Sequence, residues 1–406
     1  MKKPELLAPA GDWRMLKTAV ANGADAVYFG VDRLNMRAKA RNFKLEDLNE
    51  ITSFCHENNV DAHLTLNTIV YENELKQLDE ILLAAKEAKI DMIICWDNSV
   101  IQKCMEYELP FCISTQASIS NSVSAKFYKN LGASRIVLAR ECTLHKIKTI
   151  KETVDIEIET FIHGAMCVAV SGRCFMSHEI FNKSANRGEC IQPCRREFEI
   201  KDKDDDYSLI LGEDYVMSPK DLCTIEFIDQ LIDAGIDSFK IEGRKRSPEY
   251  IGKSVSTYRK AIDLHAEGKL TEEIKKEMLE DLKRVYNRGF SHGFYFGKPI
   301  NEFTDKYGSQ ATTRKIFSGK VLNYFKKPKV VHMKVQAEDL KIGDSVYMIG
   351  DTTGCVEATI TNMIRDEKPI ENAEKGIDFT FSCDQLVRTG DQVYKIIPAE
   401  QRKGLQ

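Results

Sequence analysis

Five cysteines lie close together in the middle of the chain, and thiols at this density can hold a metal centre. The whole chain has 406 residues and twelve cysteines, and the five lie within the segment 165–237: Cys167, Cys174, Cys190, Cys194 and Cys223. Glycines and a proline separate them, so thiolates from different turns can converge on one centre. The pattern favours an iron–sulfur cluster. A structural zinc ion and unligated or redox-active thiols are the alternatives.

The spacing of these cysteines fits zinc less well and leaves the ligand set open. Structural zinc sites usually pair two short C-x2–4-C knuckles, and only Cys190 and Cys194 have such a spacing. A cluster with four thiolate ligands has five candidates. The ligands that we favour are Cys167, Cys174, Cys190 and Cys223. Cys194 is the alternative ligand.

Composition predicts a cytoplasmic protein of more than one domain. The chain is 43% hydrophobic and 30% charged, with a net charge of -4, which argues against a generally basic nucleic-acid coat but allows a local basic face. The first residues, "MKKPELLAPAGDW", lack the apolar run of a signal peptide, and no stretch approaches the roughly 18 apolar residues of a membrane span. In the cytoplasm, cysteines are expected as thiols or ligands rather than disulfides.

Eight short apolar runs, most followed by a segment with helical spacing, predict a parallel sheet covered by helices. A count of eight favours a TIM-like (β/α)8 barrel, and no GxGxxG fingerprint follows the first run. The runs span residues 5–10, 26–30, 62–67, 92–96, 111–116, 135–140, 156–164 and 238–244.

The same pattern predicts the domain organisation. We expect a catalytic domain over residues 1–305, with a cysteine-rich insertion at 165–237 after the seventh strand. Because active sites of such barrels lie at the C-terminal ends of the strands, the insertion should cover the mouth. Short β-like runs with Gly-Asp turns predict a small β-barrel domain over residues 312–406.

Polar residues at the predicted strand ends are the candidates for a catalytic site. We expect the site to use His163, Glu242, Arg244, Gln116 and Asn67, with further polar residues at the mouth: Asp97, Arg140 and Glu141. Arg244 can form bidentate hydrogen bonds with a carboxylate or phosphate of a small co-substrate. The alternative is an internal Glu242–Arg244 salt bridge, and His163 is equally suited to a buried, hydrogen-bonded position in the barrel.

Three stretches combine cations with aromatic residues in a way that suits RNA. They are "RGECIQPCRREF" in the insertion, "GRKRS" after the eighth run, and "RKIFSGKVLNYFKKPK" at the start of the C-terminal domain. Cations contact phosphates and aromatic rings stack on bases. A solvated surface is the alternative explanation for each of these stretches.

Protease signatures are weak in comparison. The sequence contains no HExxH and no GxSxG motif, which are signatures of zinc and serine hydrolases. A Cys167–His163 pair is conceivable, but it requires a third group to orient the histidine.

Several of these motifs together resemble the U32 peptidase family of collagenase-like proteins. The resemblance covers residues 4 to about 300, and its motifs occur in the family's order: "LLAPAGD", "STQASISN", "ETFIHGAMCVAVSGRCFMS", "SPKDLC", "SFKIEGRKRSPEY" and "YNRGFSHGFYFG". The chain length and β-rich tail are most similar to the branch of this family that hydroxylates tRNA.

The resemblance implies an iron–sulfur enzyme rather than a conventional protease. It implies a [4Fe–4S] cluster on Cys167, Cys174, Cys190 and Cys223, and an oxygen-independent, prephenate-dependent hydroxylation of uridine 34 in tRNA to 5-hydroxyuridine. Other branches act as paired proteins, so a related family member as partner is a further expectation. The family name itself implies the alternative, a collagenase-like peptidase.

Overall fold

The computed structural model describes residues 3–38, 41–196, 198–201, 208–211, 217–299, 302–304 and 308–399, with the backbone alone for 198–201 and 208–211. The predicted domain boundary at residue 305 and the last residues of the chain lie outside this part. None of the described helices combines the length and apolar character needed to cross a bilayer.

The first part of the chain alternates strands and helices. Its strands are almost wholly buried, as expected when helices cover a parallel sheet. The elements are β1 (Glu5–Pro9), α1 (Trp13–Ala21), β2 (Ala26–Phe29), α2 (Leu48–Glu57), β3 (Asp61–Leu66), α3 (Leu75–Glu87), β4 (Met92–Cys95), α4 (Asn98–Glu106), β5 (Phe111–Ile113), α5 (Ser122–Asn130), β6 (Arg135–Val137), α6 (Leu144–Thr153) and β7 (Glu157–Gly164).

An insertion follows β7. It contains α7 (Met176–Phe181), a hairpin of β8 (Phe198–Lys201) and β9 (Ser208–Leu211), and β10 (Asp221–Cys223). β10 pairs antiparallel with the end of β7. The next helix, α8 (Ile228–Asp233), is the barrel's own connection to the eighth strand, so the added segment ends before α8 rather than at residue 237.

The barrel closes through β11 (Ser238–Ile241), which pairs in parallel with both β1 and β7. Each of the eight predicted strands is present, so the (β/α)8 prediction is confirmed. Two further helices, α9 (Pro248–Ala266) and α10 (Glu272–Lys283), and the short strand β12 (Phe290–Ser291) complete this domain. One apolar cluster extends between the barrel strands and the surrounding helices.

The C-terminal domain is antiparallel β-structure, and a separate apolar cluster forms its core. Eight of its strands form one sheet in the order β17-β16-β22-β13-β14-β21-β18-β19, and β15 and β20 form a small second sheet. The strands are β13 (Thr313–Phe325), β14 (Val330–Val335), β15 (Leu340–Lys341), β16 (Ser345–Gly350), β17 (Gly354–Thr359), β18 (Ile364–Arg365), β19 (Lys368–Pro369), β20 (Asn372–Ala373), β21 (Asp378–Ser382) and β22 (Gln392–Pro398). Within the described residues, hydrogen bonding does not join the edge strands β17 and β19.

The C-terminal sheet packs against α1 and α9 of the barrel domain. Gly354 has a φ of +77°, and a Cβ built there would lie 2.8 Å from the Thr18 backbone nitrogen. This close approach therefore favours glycine on two grounds. Ion pairs also cross the contact, including Arg284 with Glu357 at 2.8 Å and Arg14 with Asp351 at 2.5 Å.

Candidate functional site

A cavity of about 350 Å³ lies at the C-terminal ends of the barrel strands, beneath the insertion. Its walls come from the strand ends and the loops that follow them, and its cover comes from residues 165–195 of the insertion. This is where barrel enzymes place their active sites. The predicted position of the insertion over the mouth is confirmed.

Four thiols line this cavity: Cys167, Cys174, Cys190 and Cys194. They come from separate turns of the insertion, on either side of α7. Backbone N–H groups point at two of the sulfurs, since Met176 N lies 3.4 Å from Cys174 Sγ and Gln192 N lies 3.4 Å from Cys190 Sγ. Such N–H···S contacts stabilise thiolates and tune the clusters they bind.

Cations surround the thiols and favour their ionised form. Burial raises the pKa of Cys167, but the Ala169 backbone and Arg140 act in the opposite direction. Burial also raises the pKa of Cys194, and Arg195 opposes it. The cations thus offset part of the cost of placing thiolates in a partly buried cavity.

The separation of the sulfurs suits a group larger than a single ion. In the described part of the chain, no three cysteine sulfurs lie within 4.8 Å of one another. Four thiolates on one tetrahedral zinc ion would have sulfurs about 3.8 Å apart, given a Zn–S bond of about 2.3 Å. This donor set therefore fits an iron–sulfur cluster better than zinc.

Cys223, which we predicted as the fourth ligand, lies apart from this group. It sits on β10 opposite His163, is 2% exposed, and its Sγ lies 3.7 Å from the Tyr258 hydroxyl of α9. Burial raises its pKa to about 12. The structure thus groups Cys194, the alternative ligand, with the other three thiols at the cavity and places Cys223 outside it.

Glu242 and Arg244 both line the cavity but do not pair with each other. Glu242 forms its ion pair with Arg37, at 3.0 Å. Burial alone would raise the pKa of Glu242, but Arg37, Arg246 and Arg140 outweigh burial and lower the pKa to about 2. Glu242 is therefore ionised at neutral pH and holds Arg37 in place.

Arg244 is buried without a carboxylate partner among the described residues. Its Nη1 donates to Thr65 Oγ1 at 2.8 Å and to Asn35 Oδ1 at 3.2 Å. Burial, reinforced by Arg37, lowers its pKa to about 10. The predicted alternative, an internal Glu242–Arg244 salt bridge, does not form.

Two further cations extend the positive lining. Arg140 donates to the Ala165 carbonyl at 2.6 Å, and its guanidinium lies 3.8 Å from the ring centre of Phe161. Lys240 forms the floor, bonded to Glu159 at 2.7 Å and 4.4 Å from the centre of the Tyr28 ring. Because Arg140, like Arg244, has no carboxylate partner in the described residues, the cavity suits an anionic small molecule.

Asn67 and Gln116 line the cavity as predicted. Asn67 Oδ1 accepts from the Met36 backbone at 3.1 Å. Gln116 Oε1 accepts from the Ser114 hydroxyl, and its Nε2 donates to the Asn67 carbonyl at 3.5 Å. These bonds orient the side chains and the loop after β2, so both residues position the wall of the cavity.

His163 does not reach the cavity. The register between β7 and β11 shifts between Phe161 and His163, and such a bulge re-aims side chains. The imidazole is 1% exposed, and its Nδ1 lies 3.4 Å from the Tyr258 hydroxyl. Burial, reinforced by Arg246, lowers its pKa to about 3, so His163 is a neutral core residue. The structure places His163 in the buried position that was the predicted alternative, and its catalytic role stays a prediction.

Of the other predicted strand-end residues, one stabilises the loops and one lines the cavity. Asp97 caps α4 through Ser99 N and also accepts from Val70 N, so it stabilises the loops. Glu141 lines the cavity, and its Oε2 is buried with no hydrogen-bond partner among the described residues. This oxygen is free to accept from a bound substrate.

Sequence reasoning missed Arg37 and Lys240 as cavity residues. Arg37 lies in the polar loop after β2, where a pairing with Glu242, 205 residues away, leaves no local signal. Lys240 interrupts the apolar run "SFKIEG". Lysine is rare inside a buried parallel strand, and this was the one signal in the sequence that indicated a special role for Lys240.

Comparison with known proteins gives one family. The model of peptidase family U32 matches residues 11–305. The chain is 44% identical to an uncharacterized protease of Methanocaldococcus jannaschii (96% of this chain, 97% of that one) and 39% identical to a collagenase of Porphyromonas gingivalis (98% and 99%). It is 40% identical to tRNA hydroxylation protein P1 of Bacillus subtilis (86% and 84%). The chain therefore belongs to peptidase family U32.

Proposed function

We propose that this chain modifies tRNA by hydroxylating uridine 34 at C5 without oxygen, using a [4Fe–4S] cluster and prephenate. The observation that carries the proposal is the grouping of Cys167, Cys174, Cys190 and Cys194 on the wall of a cationic cavity. The similarity to a protein named for tRNA hydroxylation supports the choice of substrate.

The four thiolates would hold the cluster at the inner face of the insertion. When bound, the cluster supplies a redox or Lewis-acid centre next to the substrate. Arg140 and Arg195 lie near Cys167 and Cys194 and offset the negative charge of the thiolates. The burial of the cavity beneath the insertion limits the access of water.

The chain's own residues would bind the two substrates. Arg244 and Arg140 have guanidinium groups without carboxylate partners in the described residues, and each can bind a carboxylate of prephenate. Glu141 offers its unpartnered Oε2 to an N–H donor such as N3–H of uracil. A base must leave its stack to reach this depth, as enzymes that act on bases require.

The peptidase alternative rests on the names of relatives rather than on the geometry. No histidine lines the cavity in the described part of the chain, and His163 bonds to Tyr258 instead of Cys167. A thiol protease needs a base within hydrogen-bond reach of its nucleophile. Release of peptides from denatured collagen by the anaerobically purified protein would nonetheless favour this alternative.

A paired set of variants tests the cluster. We expect wild-type protein purified without oxygen to contain close to four irons and four sulfides per chain. Cys194→Ala should lose them, whereas Cys223→Ala should retain them, because Cys223 packs against Tyr258 outside the cavity. If Cys194→Ala keeps its iron and sulfide and Cys223→Ala loses them, the fourth ligand is Cys223, as the sequence predicted.

Nucleoside analysis tests the reaction. The loaded enzyme, unmodified tRNA and prephenate are incubated without oxygen, and 5-hydroxyuridine is measured by mass spectrometry. The proposal expects the nucleoside only when all three are present. Normal 5-hydroxyuridine derivatives in the tRNA of a deletion strain with no second copy would contradict it.

A further inference from the structure

A second cavity, of about 390 Å³, lies between the barrel and the C-terminal sheet. Six cationic residues line it: Arg14, Arg41, Arg244, Lys245, Arg246 and Lys315. Asp12 is the only carboxylate among its described lining residues. Both domains contribute, since Lys315 lies on β13 and Tyr394 on β22. We call this cavity the interdomain cleft.

The interdomain cleft adjoins the barrel mouth. Arg244 and Lys245 line both cavities, so the two cavities are adjacent. A ligand that enters both must place one part beneath the insertion and a second, negatively charged part along the cleft.

The charges of the cleft are only partly compensated within the protein. Four of its cations have a carboxylate within 4.0 Å: Arg14, Arg41, Arg246 and Lys315. Arg244 and Lys245 form no ion pair in the described residues. The Arg41 side chain is 77% exposed, and its partner Asp12 already caps α1 through Met15 N. Arg41 and Lys245 are therefore available to an external anion.

Backbone donors strengthen the same surface. The helix α9 begins at Pro248, at the edge of the cleft, and the N-cap Ser247 makes no side-chain bond to its first turn. Free N–H groups and the helix dipole at such an end favour phosphate. The combination of cations and N–H donors from several elements suits a phosphate chain better than a single carboxylate.

Only one end of the stretch 314–329, one of the three candidate RNA-binding stretches, reaches the cleft. Lys315 lines the cleft, whereas Lys326 and Lys327 follow the other end of β13. Eleven residues of extended strand span about 36 Å. The cleft and the hairpin end therefore cannot serve one short phosphate segment.

We propose that the interdomain cleft binds the sugar-phosphate backbone of the RNA segment whose base enters the barrel mouth. The inference rests on the proposed function and names the surface that holds its substrate. Flanking phosphates held in the cleft would fix the position of the nucleotide that reaches the cluster side of the cavity.

The test compares two double variants with the same change in charge. Arg41→Gln/Lys245→Gln removes two exposed cations of the cleft, and Lys86→Gln/Lys148→Gln removes two exposed cations of the outer helices α3 and α6. Binding of fluorescently labelled, unmodified tRNA to the full chain, purified without oxygen, is measured by anisotropy over a range of NaCl concentrations. Circular dichroism checks that each variant is folded.

We expect the cleft variant to bind about tenfold more weakly, and the slope of log Kd against log[NaCl] to fall by about 1 to 2. The control variant should stay within about twofold of wild type. Lys315→Gln, from the opposite wall, should weaken binding in the same direction. Equal binding by the cleft variant and the control would overturn the inference, as would equally tight binding of polyglutamate to the wild-type protein.

The same samples separate this inference from the proposed function. If the cleft variants lose tRNA binding but wild type makes no 5-hydroxyuridine, the cleft assignment stands and the reaction is wrong. If wild type makes 5-hydroxyuridine and the cleft variant does so at equal rate and affinity, the reaction stands and the cleft assignment is wrong.

Discussion

The two ends of the barrel both contain charged side chains but use them differently. At the N-terminal end, Arg135 contacts Glu5 at 2.6 Å, Glu157 at 2.9 Å and Glu159 at 3.4 Å. Lys240, which also forms the floor of the cavity at the other end, completes the group by bonding Glu159 at 2.7 Å. Every charge in this group has a partner of opposite sign.

At the C-terminal end, the charges exceed their partners. Glu242 pairs with Arg37, but Arg140 and Arg244 form no ion pair in the described residues. A buried cation without a partner costs free energy. The difference indicates that the N-terminal group stabilises the fold, while the mouth keeps charges for a ligand.

The largest expected effect comes from breaking the N-terminal group. Arg135→Met leaves Glu5 without a cationic partner and leaves the fully buried Glu159 with Lys240 alone, and removal of one partner of a buried ion pair typically costs about 3–5 kcal/mol. Urea denaturation at pH 7 measures the free energy of unfolding. Lys269→Ala, which breaks an exposed pair, should change it by less than about 1 kcal/mol.

A second variant checks the reason for that loss. Arg135→Met/Glu5→Gln also removes the charge of Glu5 that the first substitution orphans, so it should recover part of the lost stability. A loss below about 1 kcal/mol in Arg135→Met alone would contradict the assignment of this group to stability.

At the mouth, Glu242→Gln should reduce stability in a way that depends on pH. The lowering of the Glu242 pKa from its ordinary value of 4.5 to about 2 corresponds to about 3 kcal/mol at 1.4 kcal/mol per unit. Because the folded pKa is the lower one, this contribution is present above about pH 4.5 and is lost as the pH falls towards 2. Unfolding free energies of wild type and variant should therefore differ at pH 7 and converge on acidification. A difference independent of pH would contradict this account.

Arg244→Met should separate activity from stability. Removal of a buried cation without a carboxylate partner should leave the free energy of unfolding unchanged or raise it. Loss of a charged hydrogen bond to the co-substrate, about 1.5–3 kcal/mol, should raise KM for prephenate about 10- to 100-fold. Arg244→Lys keeps the positive charge but cannot form a bidentate hydrogen bond, so it should raise KM for prephenate by a smaller factor. If Arg244→Met unfolds like Arg135→Met, the two ends of the barrel do not differ as proposed.

Local sequence patterns were sufficient for the barrel and for much of its mouth. Each barrel strand is a continuous apolar run, and a parallel strand buried on both faces requires such a run. Because the strands end on one side, the residues that follow them, such as Asn67, Gln116 and Arg244, meet at one cavity.

The structure differs from the predicted positions where distant parts of the chain set the geometry. His163 continues the alternation of β7, and only the bulge opposite β11 turns it into the core. Cys223 and Cys194 have equally suitable spacing, but β10 pairs with β7 and carries Cys223 towards α9. Neither pairing leaves a signal in the local sequence.

The smallest expected effect concerns the exposed ion pair between Arg14 and Asp351 at the interdomain contact. Asp351 is 75% exposed, and exposed pairs contribute about 0.2–1 kcal/mol. Asp351→Asn should therefore cost less than about 1 kcal/mol in urea denaturation, and the cost should shrink at high salt. Since the substitution frees Arg14 in the interdomain cleft, the variant should bind tRNA about two- to threefold more tightly at low salt. Weaker binding would show that Asp351 aligns Arg14 for phosphate rather than competing with it, because loss of a competing carboxylate can only increase the affinity of the cleft for an anion.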